Sequence, residues 1–406
     1  MTDSLVSLTE SYSVQSPDQI TYGFGAVSEL SEYATANDVD SVLIVTDENI
    51  VNAGVTDPVV NTLEEVSTEV DLFTDAKPEP KLSMVDDAVE TLQAGNHELV
   101  VGVGGGSALD TAKLASALAD HDVNITDTLG MGNVPGSGRS LALIPTTAGT
   151  GSEVTHIGVF SDSDGVKQVI YDKHLFADLA IVDSELTRSL PKPVAAATGL
   201  DALTHAIESY TTVPRTPYSD MLAREAIRLV GQNLRQAVLQ GANNDEARYN
   251  MSLAATIAGQ AFVNSGLGAV HALTYPLGVE YNVGHGKANA MLLPHVMEYN
   301  VPAEAERFAE IAELLNANAA GSTLERAYAS VDAVLTLTED IGIATTVGHL
   351  GEFDREELES FADIAFEYSQ HNIDRNPRDL DRSDVIQIYE NAGEFESNVA
   401  PIEQDQ

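Results

Sequence analysis

The sequence of 406 residues predicts an α/β domain followed by an all-helical domain. In the first half, short β-branched apolar runs alternate with amphipathic stretches, whereas beyond the proline-containing segment Ser189–Val194 apolar residues recur only at helical intervals. We therefore expect an α/β dinucleotide-binding domain with a parallel sheet over residues 1–190. An all-α metal-binding and substrate domain is expected over residues 191–406.

Five apolar runs of the first half predict buried strands, and two amphipathic stretches predict helices that cover them. The predicted strands are Ser41–Thr46, Val70–Phe73, Leu99–Val103, Leu141–Ile144 and Leu179–Val182, and the predicted helices are Ser83–Ala94 and Ser107–Ala119. In the second half a buried helix face is predicted from residues three and four apart. These residues are Leu222, Ala226, Leu229, Val230, Leu234, Ala237 and Val238, with comparable stretches at 245–265, 303–317, 323–341 and 355–368.

The charge of the chain is extreme, with 63 acidic against 20 basic residues and a formal net charge of -43. Such a chain repels nucleic acids and anionic membrane surfaces, so neither is expected as a partner. In molar salt the Debye length falls to about 3 Å, which screens the self-repulsion of the folded chain. The composition therefore predicts a halophilic protein.

Cysteine is absent, which excludes disulfides, thiolate metal ligands and a cysteine nucleophile. The first ten residues lack the basic and apolar regions of a secretory signal. No run of about 18 apolar residues is present to span a bilayer. We expect a soluble, cytoplasmic protein.

A glycine turn lies between the predicted strand Leu99–Val103 and the helix after it. The run Gly104-Gly105-Gly106-Ser107 would let backbone N–H groups approach a pyrophosphate at a helix N-terminus, with Ser107 as N-cap or phosphate ligand. The turn departs from G-x-G-x-x-G, because Ser107 stands where the third glycine would be. A tight βα turn without a ligand is the alternative.

Two other predicted strands end in candidate cofactor contacts. Thr146, Thr147 and Thr150 follow a strand in L-I-P-T-T-A-G-T-G-S-E-V and can bind ribose, phosphate or the nicotinamide amide. Asp47 follows the strand Ser41–Thr46, where an acid binds the adenosine ribose and repels a 2′-phosphate. This acid precedes the glycine turn by roughly 60 residues instead of following it by about 20, so the unit is not a standard Rossmann one. A turn or cap role is the alternative for Asp47.

One aspartate and three histidines form a candidate metal site. Asp201 and His205 are four residues apart on one helix face, His271 has apolar neighbours before Pro276, and His285 lies between two glycines. This oxygen and nitrogen set suits Fe(II), Zn(II), Mn(II), Co(II) or Ni(II). The alternative is that the histidines only pack or lie on the surface, which is the role expected of His156 and several others.

With these motifs the chain resembles the iron-containing (group III) alcohol dehydrogenases, as a haloarchaeal-type member, over nearly its full length. The resemblance rests on G-G-G-S-A-L-D-T-A-K, P-T-T-A-G-T-G-S-E-V-T, G-L-D-A-L-T-H-A-I-E-S-Y and G-H-G-K-A-N-A-M-L-L-P-H-V. It implies four metal ligands, at Asp201, His205, His271 and His285. It implies cofactor contacts at Asp47, Gly104, Gly105, Gly106, Ser107, Asp110, Thr146, Thr147, Thr150 and Lys167.

The resemblance also implies Fe(II) as the metal, NAD as the cofactor with NADP as the alternative, and a homodimer. Two positions depart from some members of the family. Tyr275 stands where several carry a further histidine that helps to move the proton, and Pro78-Glu79-Pro80 replaces a P-N-P segment, which puts a carboxylate near the cofactor.

These observations together predict a metal-dependent alcohol dehydrogenase that transfers a hydride between an alcohol and NAD(P), reversibly with aldehyde or ketone reduction. The partner is a small alcohol or carbonyl compound, whose identity the sequence leaves open. The alternatives are a hydroxyacid-oxoacid transhydrogenase and a maleylacetate reductase-like enzyme, although the latter typically lacks the aspartate ligand. A dehydroquinate synthase-like lyase is disfavoured, because few basic residues surround the candidate ligands to hold a phosphorylated, carboxylated substrate.

Overall fold

The computed structural model describes residues 11–162 and 166–394, and the chain forms two compact units. Within the described residues, the sheet unit comprises 16–162, 166–191 and 240–259, and the helical unit comprises 11–15, 192–239 and 260–394. The division into domains at residues 190 and 191 stays a prediction. The expectation that the first ten residues carry no signal concerns residues outside the described ranges.

The described residues of the sheet unit form nine strands in two sheets. They are β1 (Gln19–Gly23), β2 (Ser41–Val45), β3 (Glu69–Phe73), β4 (Leu99–Gly104), β5 (Gly130–Met131), β6 (Ser140–Pro145), β7 (Ile157–Ser161), β8 (Lys167–Tyr171) and β9 (Leu179–Asp183). Six of them form a parallel sheet in the order β1-β9-β6-β4-β2-β3. The other three form a small sheet in which β8 pairs parallel with β5 and antiparallel with β7. The predicted parallel sheet is confirmed.

The strands that pattern analysis missed lack a continuous apolar run. β1 is an edge strand whose residues are only partly buried or exposed, and β8 buries Ile170 alone. Four of the five predicted strands are buried along nearly their whole length, among them β4, which pairs with β2 on one side and β6 on the other. The prediction that Val70–Phe73 is buried is wrong, because β3 is an edge strand in which Phe73 alone is buried. A central strand of a parallel sheet is covered on both faces and therefore consists of apolar residues.

Helices cover both faces of the large sheet. They are α1 (Glu29–Ala36), α2 (Glu48–Asn52), α3 (Asp57–Glu64), α4 (Leu82–Ala94) and α5 (Gly106–Leu118). Leu30 and Leu63 belong to the core on one face, and Leu92 and Leu109 to the core on the other. Because β4 and β6 are neighbours, the loops after them lie at the same edge of the sheet.

The described part of the helical unit is built from helices, as predicted. They are α6 (Lys192–Thr211), α7 (Pro217–Gln240), α8 (Asp245–Val263), α9 (Ala269–Tyr281), α10 (His285–Asn300), α11 (Ala305–Leu314), α12 (Thr323–Asp340), α13 (Arg355–Ile373) and α14 (Arg382–Glu394), with α8 belonging to the sheet unit up to Gly259. Pattern analysis did not predict α9 and α10, each of which contains an internal proline, Pro276 and Pro294 respectively. No helix in the described ranges is long and apolar enough to span a bilayer.

Candidate functional site

The four predicted metal ligands come together in the helical unit. Asp201 and His205 are one turn apart on α6, His271 lies in the first turn of α9, and His285 is the first residue of α10. Their ligand atoms all lie within 4.8 Å of one another. The Asp201 and His205 side chains are buried, whereas that of His285 is 45% exposed. The cluster is therefore open to solvent on the His285 side.

Close packing of α10 against α6 places His285 in this cluster. A Cβ atom on Gly286 would lie 2.4 Å from the carbonyl oxygen of Ala197, a clash with backbone that no side-chain movement relieves. Glycine at this position therefore lets the first turn of α10 approach α6. This contact gives a physical reason for the glycine that follows the histidine in the H-G-K motif.

The distances within the cluster fit a metal ion. Asp201 Oδ1 lies 3.8 Å from His205 Nε2 and 3.7 Å from His285 Nε2. A tetrahedral ion with bonds of about 2.0–2.2 Å would hold its ligand atoms about 3.4 Å apart. The two distances from Asp201 are close to this value, and the other ligand atoms, which lie within 4.8 Å of one another, would move closer around an ion. The three nitrogens and one carboxylate suit Fe(II) or Zn(II).

Glu208, which sequence analysis did not single out, holds His271 in place. Its Oε2 atom lies 2.5 Å from Nδ1 of His271, and its Oε1 atom accepts a hydrogen bond of 2.6 Å from the backbone N–H of Val270. A proton on Nδ1 directed at the carboxylate leaves the lone pair of Nε2 for the cluster. The sequence did contain a signal, because Asp201, His205 and Glu208 follow the i, i+4, i+7 spacing of one helix face.

Asn289 is a second residue that sequence analysis missed. Its side chain is fully buried on α10, and its Nδ2 donates a hydrogen bond of 2.6 Å to Asp201 Oδ1. The same nitrogen lies 3.3 Å from His285 Nε2 and 3.4 Å from His271 Nε2. Among the described residues, its Oδ1 has no hydrogen-bond partner. An orphaned acceptor beside the ligands indicates a site that is completed by an electropositive group.

The charges of the cluster support one another. Burial raises the pKa of Asp201, but the imidazoles of His205, His285 and His271 outweigh burial and hold it below its ordinary value. Burial lowers the pKa of His271, but the Glu208 carboxylate outweighs it and the net pKa is raised. The cluster therefore keeps the Asp201 carboxylate ionised, as a site for a cation requires.

The glycine turn follows β4 in the sheet unit. Gly104 has a φ of 155°, and a Cβ there would lie 2.8 Å from Cβ of Ala108. The N-cap of α5 is Gly105, which offers no side-chain cap. The prediction of Ser107 as N-cap is wrong, because Ser107 lies inside the first turn and its carbonyl accepts from Thr111. Without a capping side chain, the N-terminal N–H groups of α5 are available to an anion.

The threonine loop after β6 packs against this turn. A Cβ on Gly106 would lie 3.1 Å from Cγ2 of Thr150, and one on Gly105 would lie 3.6 Å from Cγ2 of Thr147. Thr146 is 2% exposed, and its hydroxyl has no hydrogen-bond partner among the described residues. The two loops thus pack against each other through glycines beside an unsatisfied hydroxyl, and exposed backbone N–H groups at glycines are the donors that a pyrophosphate requires.

Asp47 caps α2 at the end of β2. Its Oδ1 accepts hydrogen bonds from the backbone N–H groups of Asn49 at 2.8 Å and Ile50 at 3.1 Å. The cap role named as the alternative is therefore present. It fixes the carboxylate at the end of a strand next to β4, so a cap and a ribose contact are compatible.

Asp110 and Lys167, both predicted cofactor contacts, bind protein groups. Asp110 accepts hydrogen bonds from Ser152 Oγ at 2.6 Å and from the backbone N–H of Val159 at 3.0 Å. Lys167 lies on β8 with its Nζ 3.4 Å from Oε1 of Glu79. These contacts favour a structural role for Asp110 and show that the carboxylate of Pro78-Glu79-Pro80 pairs with Lys167.

Tyr275, which stands where some relatives have a histidine, stacks on Tyr368 with ring centroids 5.4 Å apart. Both residues belong to the helical unit.

Two models of one known protein family match the chain. The iron-containing alcohol dehydrogenase model matches residues 17–184, and the C-terminal model of the Fe-containing alcohol dehydrogenase family matches residues 195–393. The chain belongs to this family. The resemblance to the iron-containing alcohol dehydrogenases is thereby confirmed, together with an alcohol oxidoreductase activity that uses a metal and NAD.

Individual relatives match over most of their length. Long-chain-alcohol dehydrogenase 1 of Geobacillus thermodenitrificans is 41% identical over 91% of this chain and 94% of its own. A crystal structure of 1,3-propanediol oxidoreductase has a TM-score of 0.90 and 35% identity, covering 94% of this chain and 100% of that one. The sulfoacetaldehyde reductase of Bifidobacterium kashiwanohense, solved in complex with NAD+, has a TM-score of 0.87 and 30% identity, covering 95% of this chain and 100% of that one.

Proposed function

We propose that this dehydrogenase oxidises a small alcohol with NAD+, and reduces the matching aldehyde or ketone with NADH, at a metal held by Asp201, His205, His271 and His285. The observation that carries the proposal is the convergence of these side chains within 4.8 Å on three helices. A divalent metal supplies a Lewis acid for the alcohol or carbonyl oxygen.

The remaining residues of the cluster orient and hold it. Glu208 accepts the Nδ1 proton of His271, so that Nε2 is the nitrogen that would bind the metal, and Asn289 directs one oxygen of Asp201. The exposed side of His285 admits the substrate oxygen. We propose Fe(II) as the metal, because the chain belongs to an iron-containing family and three nitrogens with one carboxylate suit Fe(II).

In the sheet unit we propose that the glycine turn and the threonine loop bind the pyrophosphate and that Asp47 binds the adenosine ribose. The uncapped N-terminus of α5 supports the first role, and the fixed carboxylate after β2 supports the second. Gly104, Gly105, Gly106 and Ser107 line the first loop, and Thr146, Thr147 and Thr150 line the second. NAD would then be preferred to NADP, whose 2′-phosphate Asp47 repels.

The test is an assay of purified protein with NAD+ and a panel of alcohols, diols and hydroxy acids in molar KCl. We expect NADH to form with at least one alcohol, to be lost on chelation, and to return with Fe(II). Failure of every alcohol with metal-loaded protein would overturn the proposal. Turnover that needs a hydroxy acid together with an oxo acid and releases no NADH would establish the transhydrogenase instead.

We further propose that the protein works in a cytoplasm of high salt, as a haloarchaeal-type member of its family. If each base neutralises one acid, 43 of the 63 acidic charges are left without compensation. Their repulsion in dilute buffer opposes compaction, and molar salt screens it. The melting temperature should rise steeply between dilute buffer and molar KCl, and an unchanged one would contradict the proposal. A cytoplasmic location is consistent with the use of NAD, which the cytoplasm supplies. We also propose a homodimer, and sedimentation analysis in molar KCl would measure its mass.

A further inference from the structure

The segment 375–378, between α13 and α14, is joined to each of the three helices that carry the predicted metal ligands. Its sequence is Arg-Asn-Pro-Arg, and none of its residues belongs to the ligand cluster. Asn376 is 4% exposed, so its amide needs partners within the protein. These partners connect parts of the helical unit that are distant in the sequence.

Asn376 and Asn300, the last residue of α10, form a reciprocal pair of amide hydrogen bonds. Asn376 Nδ2 donates to Asn300 Oδ1 at 2.7 Å, and Asn300 Nδ2 donates to Asn376 Oδ1 at 2.9 Å. Arg378 adds a second link, because its Nη1 donates to the Tyr299 carbonyl at 2.8 Å. Asn300 is also 4% exposed, so loss of either amide leaves buried polar groups of the other unpaired. The pair therefore fixes the end of α10 against the segment.

The backbone of the segment holds the end of α6. The Arg375 carbonyl accepts hydrogen bonds from Thr212 Oγ1 at 2.8 Å and from the Val213 N–H at 2.9 Å. Thr212 directly follows α6, and its own N–H donates to the Glu208 carbonyl at 2.8 Å. The segment is thus fixed to the last turn of the helix on which two of the predicted ligands lie.

The start of α9 packs against the same segment. A Cβ atom on Gly268, the N-cap of α9, would lie 3.2 Å from Oε1 of Glu208 and 3.5 Å from Oδ1 of Asn376. Glu208 and Asn376 also line one cavity, which has room for about one water molecule. The amide pair therefore lies next to the carboxylate that orients His271.

We propose that Asn376 is a positioning residue, which sets the placement of α6, α9 and α10 relative to one another and thereby the affinity of the cluster for metal. The inference rests on the proposed function, because it takes the four predicted ligands as the metal site. These ligands come from three helices, and a metal requires its ligand atoms at fixed separations. The side chain of Asn376 donates to Asn300 and Arg378, so its effect on the metal passes through the helices.

The experiment compares variants of the whole protein in one buffer with molar KCl. Asn376→Leu removes the amide and keeps a branched side chain of similar shape. Thr212→Val removes the hydroxyl that binds the segment, and Thr212→Ser retains it. Leu337→Ala is the control for lost stability, because Leu337 is 1% exposed on α12 of the same unit and lies outside the segment and the cluster.

The main measurement is the dissociation constant for Zn(II), from competition between the metal-free protein and a chelator, which needs no turnover. Zn(II) suits the same donor set as Fe(II) and has no redox chemistry. Melting temperature, the NADH dissociation constant from NADH fluorescence, and kcat at saturating metal are measured beside it.

We expect Asn376→Leu to raise the Zn(II) dissociation constant about tenfold and Thr212→Val about threefold, because the ligand helices are less well placed before the metal binds. Thr212→Ser should bind Zn(II) like the wild type, and Leu337→Ala should melt earlier with normal Zn(II) affinity. NADH affinity should change little, since the proposed cofactor loops belong to the sheet unit. At saturating metal, kcat should stay near that of the wild type, because bound metal restores the geometry of the cluster.

Wild-type Zn(II) affinity in folded Asn376→Leu would overturn the inference. If that variant does not fold, the Thr212 pair decides, and equal Zn(II) affinity of Thr212→Val and Thr212→Ser would overturn it. An equal loss of Zn(II) affinity in Leu337→Ala would also overturn it, because lost stability alone would then explain the effect. Failure of the proposed function has a different result, because the wild-type protein itself would then bind no Zn(II).

Discussion

The proposed metal-ligand cluster of the helical unit and the proposed cofactor loops of the sheet unit differ in which features of the sequence determine their function. In the cluster, the side chains with the right donor atoms are the ones that converge, and additional residues orient them. In the loops, glycines leave room for a ligand to approach the backbone N–H groups. Polar side chains nearby, such as Asp110, form hydrogen bonds within the protein. A metal site is thus specified by donor chemistry, whereas a dinucleotide site is specified largely by backbone shape.

The largest effect expected of this difference is in His285→Ala. Loss of one of four ligands removes the Lewis acid, so kcat should fall by about 1000-fold or more, while NADH affinity stays nearly unchanged because the cofactor loops belong to the other unit. Steady-state kinetics, elemental analysis and NADH titration measure the three quantities. His349→Ala, at an exposed histidine of the helical unit, is the control. Full metal content with near-normal kcat would remove His285 from the site.

Glu208→Gln sharpens the contrast between ligand and orienting residue. The amide oxygen can still accept a hydrogen bond from Val270 N–H, but the amide nitrogen cannot accept one from Nδ1–H of His271. The ring of His271 is then less well oriented, with its Nε2 lone pair no longer directed at the metal site. We expect metal affinity to fall about 10- to 100-fold. Competition with a chelator measures it without reference to activity. The same change at exposed Glu225 is the control, and equal affinities in both variants would contradict the assigned role.

Asp47→Gly tests the one carboxylate of the sheet unit that we assign to the cofactor. Removal of the charge should narrow the preference for NAD over NADP by about tenfold or more, because the 2′-phosphate no longer meets a like charge. The ratio of kcat/KM for the two cofactors measures this. Asp47→Asn keeps the capping oxygen of α2 and separates charge from cap. If both variants keep the wild-type ratio, Asp47 acts only as a cap.

The sequence predicted those parts of the fold and site that are determined by residues close together in the chain. The strands of the central sheet were predicted because they are continuous apolar runs, and Asp201 with His205 because four-residue spacing puts two ligands on one helix face. Pattern analysis failed at α9 and α10, because these helices are buried on most of their surface and show no amphipathic period, and internal prolines add a false stop signal.

Roles that depend on partners distant in sequence were not accessible. Asn289 belongs to the cluster because α10 brings it to Asp201, 88 residues earlier in the chain. Asp110 looked like a cofactor contact, since nothing in its own helix reveals Ser152 and Val159 as its partners. Glu208 is the intermediate case, because its place on the ligand face of α6 was visible although its partner was not.

The smallest effect that we predict is on the pH dependence of stability, and it arises from His156. The neighbours of His156 in the chain, Thr155 and Ile157, both accept hydrogen bonds from Lys113. Burial and the Lys113 charge lower the pKa of His156 to about 4, with Asp172 opposing them. In the unfolded chain the pKa of this histidine is about 6.5, so between pH 6.5 and 4 the unfolded chain binds a proton that the folded chain does not bind. Stability from this group is therefore complete above pH 6.5 and is lost as the pH falls from about 6.5 to 4, by about 3 kcal/mol.

His156→Phe keeps a ring beside Phe176, whose centroid lies 5.0 Å from that of the imidazole, and it cannot titrate. We expect the free energy of unfolding of this variant to depend less on pH between 6.5 and 4 than that of the wild type. Denaturation at constant molar KCl measures the difference, in which the contributions of the many carboxylates cancel. Parallel pH profiles would show that His156 is protonated as easily in the folded as in the unfolded chain. That result would also argue against a charged Lys113 beside it, and so against its ion pair with Asp110.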